Sequence, residues 1–163
     1  MDWVNALAKI SNKVKFQLFG RTYENLLHLY AQVPKYDPER KGGLSEHAFN
    51  LLLNACGVFL STQEIRIIKD NFPHECGINY FLFISSVRGD ITEKRVAAID
   101  HTFFQFQNNG CAPLAELLKA IQIKKHPHVR SLMKNAEKAQ IDVESALQYW
   151  SKDNQNLTHE EWT

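Results

Sequence analysis

Residues 36–49 read YDPERKGGLSEHAF, and the order of parts in this stretch decides the fold. Tyr36 ends one run of apolar residues at helical spacing. Asp37 and Glu39, a glycine pair and the single aliphatic Leu44 follow, and Ser45 opens a second run through Phe49, Leu52 and Leu53. Residues 71–83 (NFPHECGINYFLF), 105–117 (QFQNNGCAPLAEL) and 149–162 (YWSKDNQNLTHEEW) repeat that order. Each has an aromatic residue at a helix end, a polar or glycine-containing stretch, one aliphatic or small residue, and a short polar lead into the next helix. A recurring unit constrains the whole chain, where a single helix constrains only itself. The three later segments are shorter before the aliphatic residue, as if their first halves had lost residues.

Outward from these segments, almost every stretch repeats its apolar residues at helical spacing. Asp2 can cap a first helix with Trp3, Leu7, Ile10, Val14 and Leu18 on one side, stopped at Gly20. A second helix spans about residues 23–33, and Pro34 and Pro38 are expected to prevent its continuation. Ser45 opens a third, with Gly57 past its end. Ser61-Thr62-Gln63-Glu64 is a capping-box pattern for a fourth, closed by Pro73. Asn79 starts a fifth. Residues 92–106 form a sixth with Val96, Ile99, Phe103 and Phe106 inward, and a seventh spans 113–121. The polar link 124–128 precedes helices at about 129–136 and 143–150.

A polar loop between two helices, with an eighth residue that pairs with a partner loop as a short strand, is the organisation of an EF-hand. By that template the first segment puts Asp37 at position 1, Glu39 at 3, Lys41 at 5, Gly42 at 6, Leu44 at 8, Ser45 at 9 and Ala48 at 12. The expected architecture is all-α and EF-hand-like, with two lobes at residues 20–90 and 91–163. Each lobe is a pair of degenerate hands, and residues 1–19 add a basic amphipathic helix. Leu44 is expected opposite Ile78, and Ala112 opposite Leu157. Pro113 has no amide to donate, so the second pairing is expected to be the poorer one.

Calcium takes about six to eight oxygens, from side chains at positions 1, 3 and 5, a carbonyl at 7 and a bidentate glutamate at 12. Lys41 puts an ammonium where an oxygen belongs, and Ala48 removes the last ligand. The second loop has Pro73, His74, Glu75, Cys76 and Gly77, with Leu82 where the glutamate belongs. The third has Gln107, Asn108 and Asn109, with Glu116 at the end. The fourth has Ser151, Asp153, Asn154 and Gln155, with Glu161 at the end. No bound metal or other cofactor is expected, and the residues nearest to a ligand set are Asp37, Glu39, Ser45, Asp153 and Glu161.

The order of segments from about Tyr23 onward resembles the calcyphosine-like EF-hand proteins. INYFLFISSVRGDITEKR (78–95) is similar to the family's second exiting helix, its L-R-G or L-R-P break and the helix that restarts. VAAIDHTFFQFQNNGCAPLAELLKAI (96–121) has the F-x-x-F helix ending and the L-x-E-L run. HPHVRSL (126–132) is similar to the H-P-x-V-R connection, and ALQYWSKDNQNLTHEEW (146–162) to V-T-x-x-E-F, with Trp162 for phenylalanine. The family's calcium ligands do not carry over as a set. The resemblance implies instead a place among calcyphosine-like proteins with lost ligands, which occur in cilia and flagella, and hence an axonemal or microtubule-associated partner.

The rest of the chain narrows the function class. Nineteen Lys and Arg against eighteen Asp and Glu leave no global field to hold a nucleic acid. No stretch is long and apolar enough to span a bilayer, and MDWVNALAKISNK lacks the pattern of a signal peptide, so a cytoplasmic location is expected. Cys56, Cys76 and Cys111 have no C-x-x-C spacing and read as buried small hydrophobes. His74 and Cys76 with His126 and His128 hold zinc-ligand types, and Cys111, His101 and Glu116 those of a thiol hydrolase. Neither spacing requires the chemistry, and no catalytic motif is present, so no enzyme activity is expected. The first helix gathers Lys9, Lys13, Lys15 and Arg21 opposite the stripe that begins at Trp3; it reads first as an ordinary helix with a solvated basic face, and otherwise as one that lies on a membrane, contacts an acidic polymer surface or covers a groove between two helices. The chain stops as the last hand's exiting helix begins, which is expected to leave Leu147, Trp150, Leu157 and Trp162 as a partner-binding surface with Trp3, Lys9, Lys13 and Lys15. Function is therefore expected to be calcium-independent protein interaction; the alternative is a weak calcium sensor or adaptor with one working loop.

Overall fold

The computed structural model describes residues 3–19, 24–125, 127–131, 135–153 and 155–162. Asp2, Gly20, Arg21, Tyr23, His126 and Asn154 lie outside these, and so do the side chains of Trp3, His128 and Trp162. The described chain is mostly helical and falls into two compact units, Met1–Asp90 and Ile91–Thr163. The first runs α1 (Trp3–Phe19), α2 (Glu24–Tyr36), β1 (Gly43–Leu44), α3 (Glu46–Ala55), α4 (Thr62–Asn71), β2 (Pro73–His74), β3 (Gly77–Asn79) and α5 (Tyr80–Arg88). The second runs α6 (Glu93–Phe106), β4 (Cys111–Pro113), α7 (Leu114–Ala120), a 3-10 turn (Ile123–Lys125), α8 (Pro127–Arg130), α9 (Ala136–Trp150), β5 (Asn156–Thr158) and α10 (His159–Trp162).

Side-chain caps fix the starts of α3, α4 and α5. Ser45 accepts from the Ala48 N–H, and Asn79 from the Leu82 N–H. At α4 the capping box closes in both directions: Ser61 Oγ accepts from Glu64 N–H at 3.2 Å, and the Glu64 carboxylate from Ser61 N–H at 2.7 Å. Two boundaries differ from expectation. The second helix runs through Pro34, because that residue removes only its own bond to the preceding turn. The next turn still closes, with Asp37 N–H on Val33 O at 2.9 Å. Of the helix expected at 129–136, α8 covers Pro127–Arg130 and residues 132–134 lie outside the described residues; α9 begins ahead of the expected 143 because the Asn135 side chain accepts from both Glu137 and Lys138 N–H.

In the first unit β1 and β3 pair antiparallel with Leu44 opposite Ile78, and β2 folds back on β3. In the second, β4 and β5 pair with Ala112 opposite Leu157. The second pairing is not the poorer one. It holds three residue pairs against two, and the ladder continues past Pro113, with Leu114 N–H on Gln155 O at 2.8 Å. Bonding residues alternate along an antiparallel strand, so Ala112 and Leu114 face the partner and the missing amide of Pro113 points away.

The first unit's core centres on Phe83, edge-on to Phe49 at 5.6 Å and to Phe72 at 5.5 Å between centroids. Leu29, Val33, Leu52, Leu53, Ile68 and Ile84 fill in around them. The second unit buries Phe103, Leu114, Leu117, Val143 and Leu157 with three alanines, Ala112, Ala139 and Ala146. On α6 only Phe103 is buried; Val96 is exposed and Ile99 and Phe106 are half-buried, so the expected four-residue stripe is narrower than its periodicity suggested.

Candidate functional site

The loop that retains its full length is the most completely built. Arg40 and Gly42 both take positive φ, 56° and 78°, which curls residues 37–42 around the Asp37 carboxylate. That carboxylate is buried, with Asp37 only 4% exposed. Its Oδ1 accepts from Lys41 N–H at 2.9 Å, and its Oδ2 accepts from Gly42 N–H at 2.9 Å and from the Tyr80 hydroxyl at 2.9 Å. Glu39 and Lys41 turn to solvent, where their side chains pair at 2.7 Å. The hydrogen bond that Lys41 donates to Glu39, then the Glu39 charge, raises the Lys41 pKa above the usual lysine value, so the ammonium is held in its charged form. Ser45 spends its hydroxyl on the α3 cap, and Ala48 offers no side-chain oxygen. The three candidate ligands Asp37, Glu39 and Ser45 are therefore each engaged with protein.

The shortened loops show what replaced their first halves. In the second, β2 and β3 join through the two residues Glu75 and Cys76, with His74 opposite Gly77. His74 Nδ1 accepts from Cys76 N–H at 3.2 Å, and the ring lies so close over Gly43 that a Cβ there would fall inside it. In the third, Asn108 and Cys111 bridge, and Asn109 and Gly110 between them have φ 51° and 83°. Two successive positive φ values are the signature of a type I′ hairpin turn, which the N-G dipeptide favours. Glu116 pairs outward with Lys119 at 3.0 Å.

The fourth loop is closed by its own polar groups. Asp153 Oδ1 accepts from Gln155 N–H at 2.8 Å and Asn156 N–H at 2.7 Å, and Oδ2 from the Asn156 side-chain amide at 2.9 Å. The buried Ser151 Oγ lies 3.0 Å from Asp153 Oδ1 and 2.6 Å from Asn156 O, its single proton serving one of the two. The Asn156 side-chain and backbone donors, with Gln155 N–H, hold the Asp153 carboxyl far below the usual aspartate range. The Glu161 side chain is only 8% exposed. It accepts from Thr158 N–H at 2.9 Å and Lys152 N–H at 3.3 Å, while Thr158 Oγ1 accepts from Glu161 N–H. Glu161 thus closes a capping box at the start of α10.

The residues expected as a partner-binding surface divide between the two units. Leu147 and Leu157 are core and line no open surface, and Trp150 is half-buried. Lys9 and Lys15 face solvent. Lys13 is part of an internal contact: α1 lies against α2, α4 and α5, burying Ile10, Val14 and Leu18. Lys13 Nζ then donates to both Glu64 oxygens at 2.8 and 2.9 Å, and Gln17 Oε1 accepts from Phe59 N–H at 3.2 Å. Burial pushes the Glu64 carboxyl up, but the bonds from Lys13 and Ser61 outweigh it, and its pKa lies below the usual value. The basic helix thus packs on three helices of its own unit and keeps Lys9 and Lys15 on a solvated face. Sequence reasoning missed Glu64 and Tyr80 as contact residues. It had the S-x-x-E pattern for Glu64, but nothing local marks Tyr80.

Of the zinc-ligand set, His126 and the side chain of His128 lie outside the described residues. His101 pairs with Gln105 at 2.9 Å, and Cys111 lies in the β4 ladder. Among the described residues no group of three His, Cys, Asp or Glu converges on a point that could hold a metal. Cys76 is exposed, and Cys56 and Cys111 are half-buried, so the three thiols are less buried than expected. No helix among the described residues is long and apolar enough to cross a membrane. No family model matches the sequence. The chain is similar to crustacean calcium-binding protein 23 of Faxonius limosus, with 26% identity over 121 residues, 72% of this chain and 60% of that protein.

Proposed function

We propose that the chain is a non-enzymatic, calcium-independent interaction module on an EF-hand-like scaffold. The observation that carries this reading is the Lys41–Glu39 pair: a lysine stands at a ligand position of the loop, and its solvent-facing ammonium lies 2.7 Å from the acid that would have been another ligand. The two-residue turns of the second and third loops and the self-closed fourth loop support the same reading. With α1 filling the groove of the first unit, the scaffold is set without an ion. The partner is a protein, and the resemblance to ligand-poor calcyphosine-like chains extends the proposal to an axonemal or microtubule-associated one. Affinity purification from the native cell tests the extension; recovery of no ciliary or microtubule protein would refute it.

Calorimetry with micromolar calcium is expected to give no saturable heat, and the thermal midpoint is expected not to move, because a ligand of the folded state must raise it. A second reading, a weak calcium sensor, draws on the similarity to a protein named for calcium binding. A midpoint that rises with calcium and returns with chelator would favour it, and Asp37→Ala and Glu161→Ala would then identify the loop.

A further inference from the structure

We infer that Tyr80 makes the first loop indifferent to cations, because its hydroxyl occupies on Asp37 Oδ2 the place a bound cation would need. The inference rests on the calcium-independent reading and adds a residue to it that belongs to neither the loop nor its ligand positions. A buried carboxylate requires donors to offset the loss of water, and an ionised one can only accept. The loop's own amides from Lys41 and Gly42 supply one donor to each Asp37 oxygen. The third donor comes from 43 residues away, with the hydroxyl at 2.9 Å. Tyr80 is 2% exposed, so this bond forms away from bulk water.

The position of Tyr80 is fixed from both sides. Two residues before it, Ile78 is held opposite Leu44, and three residues after it Phe83 sits at the centre of the core. A cation approaching Oδ2 meets the positive end of the Tyr80 O–H dipole and must expel a side chain that the core holds in place. Lys41 and Ala48 then account for only part of the lost affinity. Restoring both ligands leaves Tyr80 as the remaining obstacle.

The test uses the full chain in three forms beside wild type: Lys41→Asp/Ala48→Glu, the same pair with Tyr80→Phe, and Tyr80→Phe alone. Calcium binding is read by calorimetry. We expect none for wild type, weak binding for the ligand-restored pair, and about tenfold tighter binding once the hydroxyl is removed, the scale of one hydrogen bond to a charged group. Equal affinity with and without the hydroxyl overturns the inference and leaves the calcium-independent reading intact. Binding by wild type overturns that reading itself. Should the doubly restored form not fold, Ala48→Glu is compared with Ala48→Glu/Tyr80→Phe. A thermal midpoint that millimolar calcium raises further without the hydroxyl supports the inference, and an equal response in both refutes it.

Discussion

In the first unit Phe83 stands edge-on between Phe49 and Phe72, and a further helix, α1, adds Ile10, Val14 and Leu18 to the same core. In the second unit one buried phenylalanine, Phe103, is surrounded by aliphatic side chains and by Ala112, Ala139 and Ala146, while Asp142 and Ser151 are also buried. The unit with the smaller side chains nevertheless has the longer loop ladder. Its ladder is framed by polar turn chemistry: Asn109–Gly110 at one strand and the Asp153 acceptor cluster at the other. Strand pairing and core packing are thus separate sources of order. The first unit joins its turns to a large aromatic core, and the second joins a longer ladder to a core of smaller side chains.

The largest expected effect tests the packing half of this comparison. Phe83→Ala should cost about 3–5 kcal/mol in chemical denaturation, the usual range for emptying a buried aromatic site. A loss below about 1 kcal/mol would break the comparison. Gly43→Ala should cost about 1–3 kcal/mol by forcing a Cβ into the His74 ring, and adding His74→Ala should recover part of it as a non-additive term in thermal melts. Lys13→Met should cost less than about 1 kcal/mol, because the pair with Glu64 is partly exposed, and the difference should shrink as salt rises. Glu64 also gives that contact a pH dependence. Its folded pKa is depressed, so its contribution is complete above the ordinary glutamate value and lost as pH falls through the folded one. Acid titration of α1 packing, followed by hydrogen exchange, should show the loss in wild type and not in Lys13→Met. Pro113→Ala in the second unit should change stability by no more than about 0.5 kcal/mol, because the amide it restores faces away from the partner strand. A clear gain would mean that the β4 register differs.

Much of the fold was legible because it is local. The capping box at Ser61 and Glu64 and the caps at Ser45 and Asn79 all act within a few residues of themselves. The N-G dipeptide at 109–110 was equally local, and it accounts for the shortened third loop that sequence reasoning left as a deletion. Pro34 misled because a proline near a helix end removes one bond without stopping the next. Long-range choices were not legible. Periodicity marks the apolar face of α1 but cannot name α2, α4 and α5 as what it meets. Tyr80 reads as one more aromatic on an apolar helix face, and only folding brings its hydroxyl to Asp37. Leu147 and Leu157 show the converse: a chain ending suggested exposure, and tertiary packing buried both.

One residue ties two scales of structure together. Glu64 closes the first turn of α4 through the Ser61 N–H and, with the same carboxylate, receives Lys13 from α1. Two events that share one charged group are thermodynamically linked, and the linkage is reciprocal. Docking of α1 steadies the start of α4 by the same factor by which an intact α4 start favours docking. A perturbation that frays one turn at residue 61 is therefore transmitted to a helix that begins almost sixty residues earlier in the chain, without any rearrangement of the core between them.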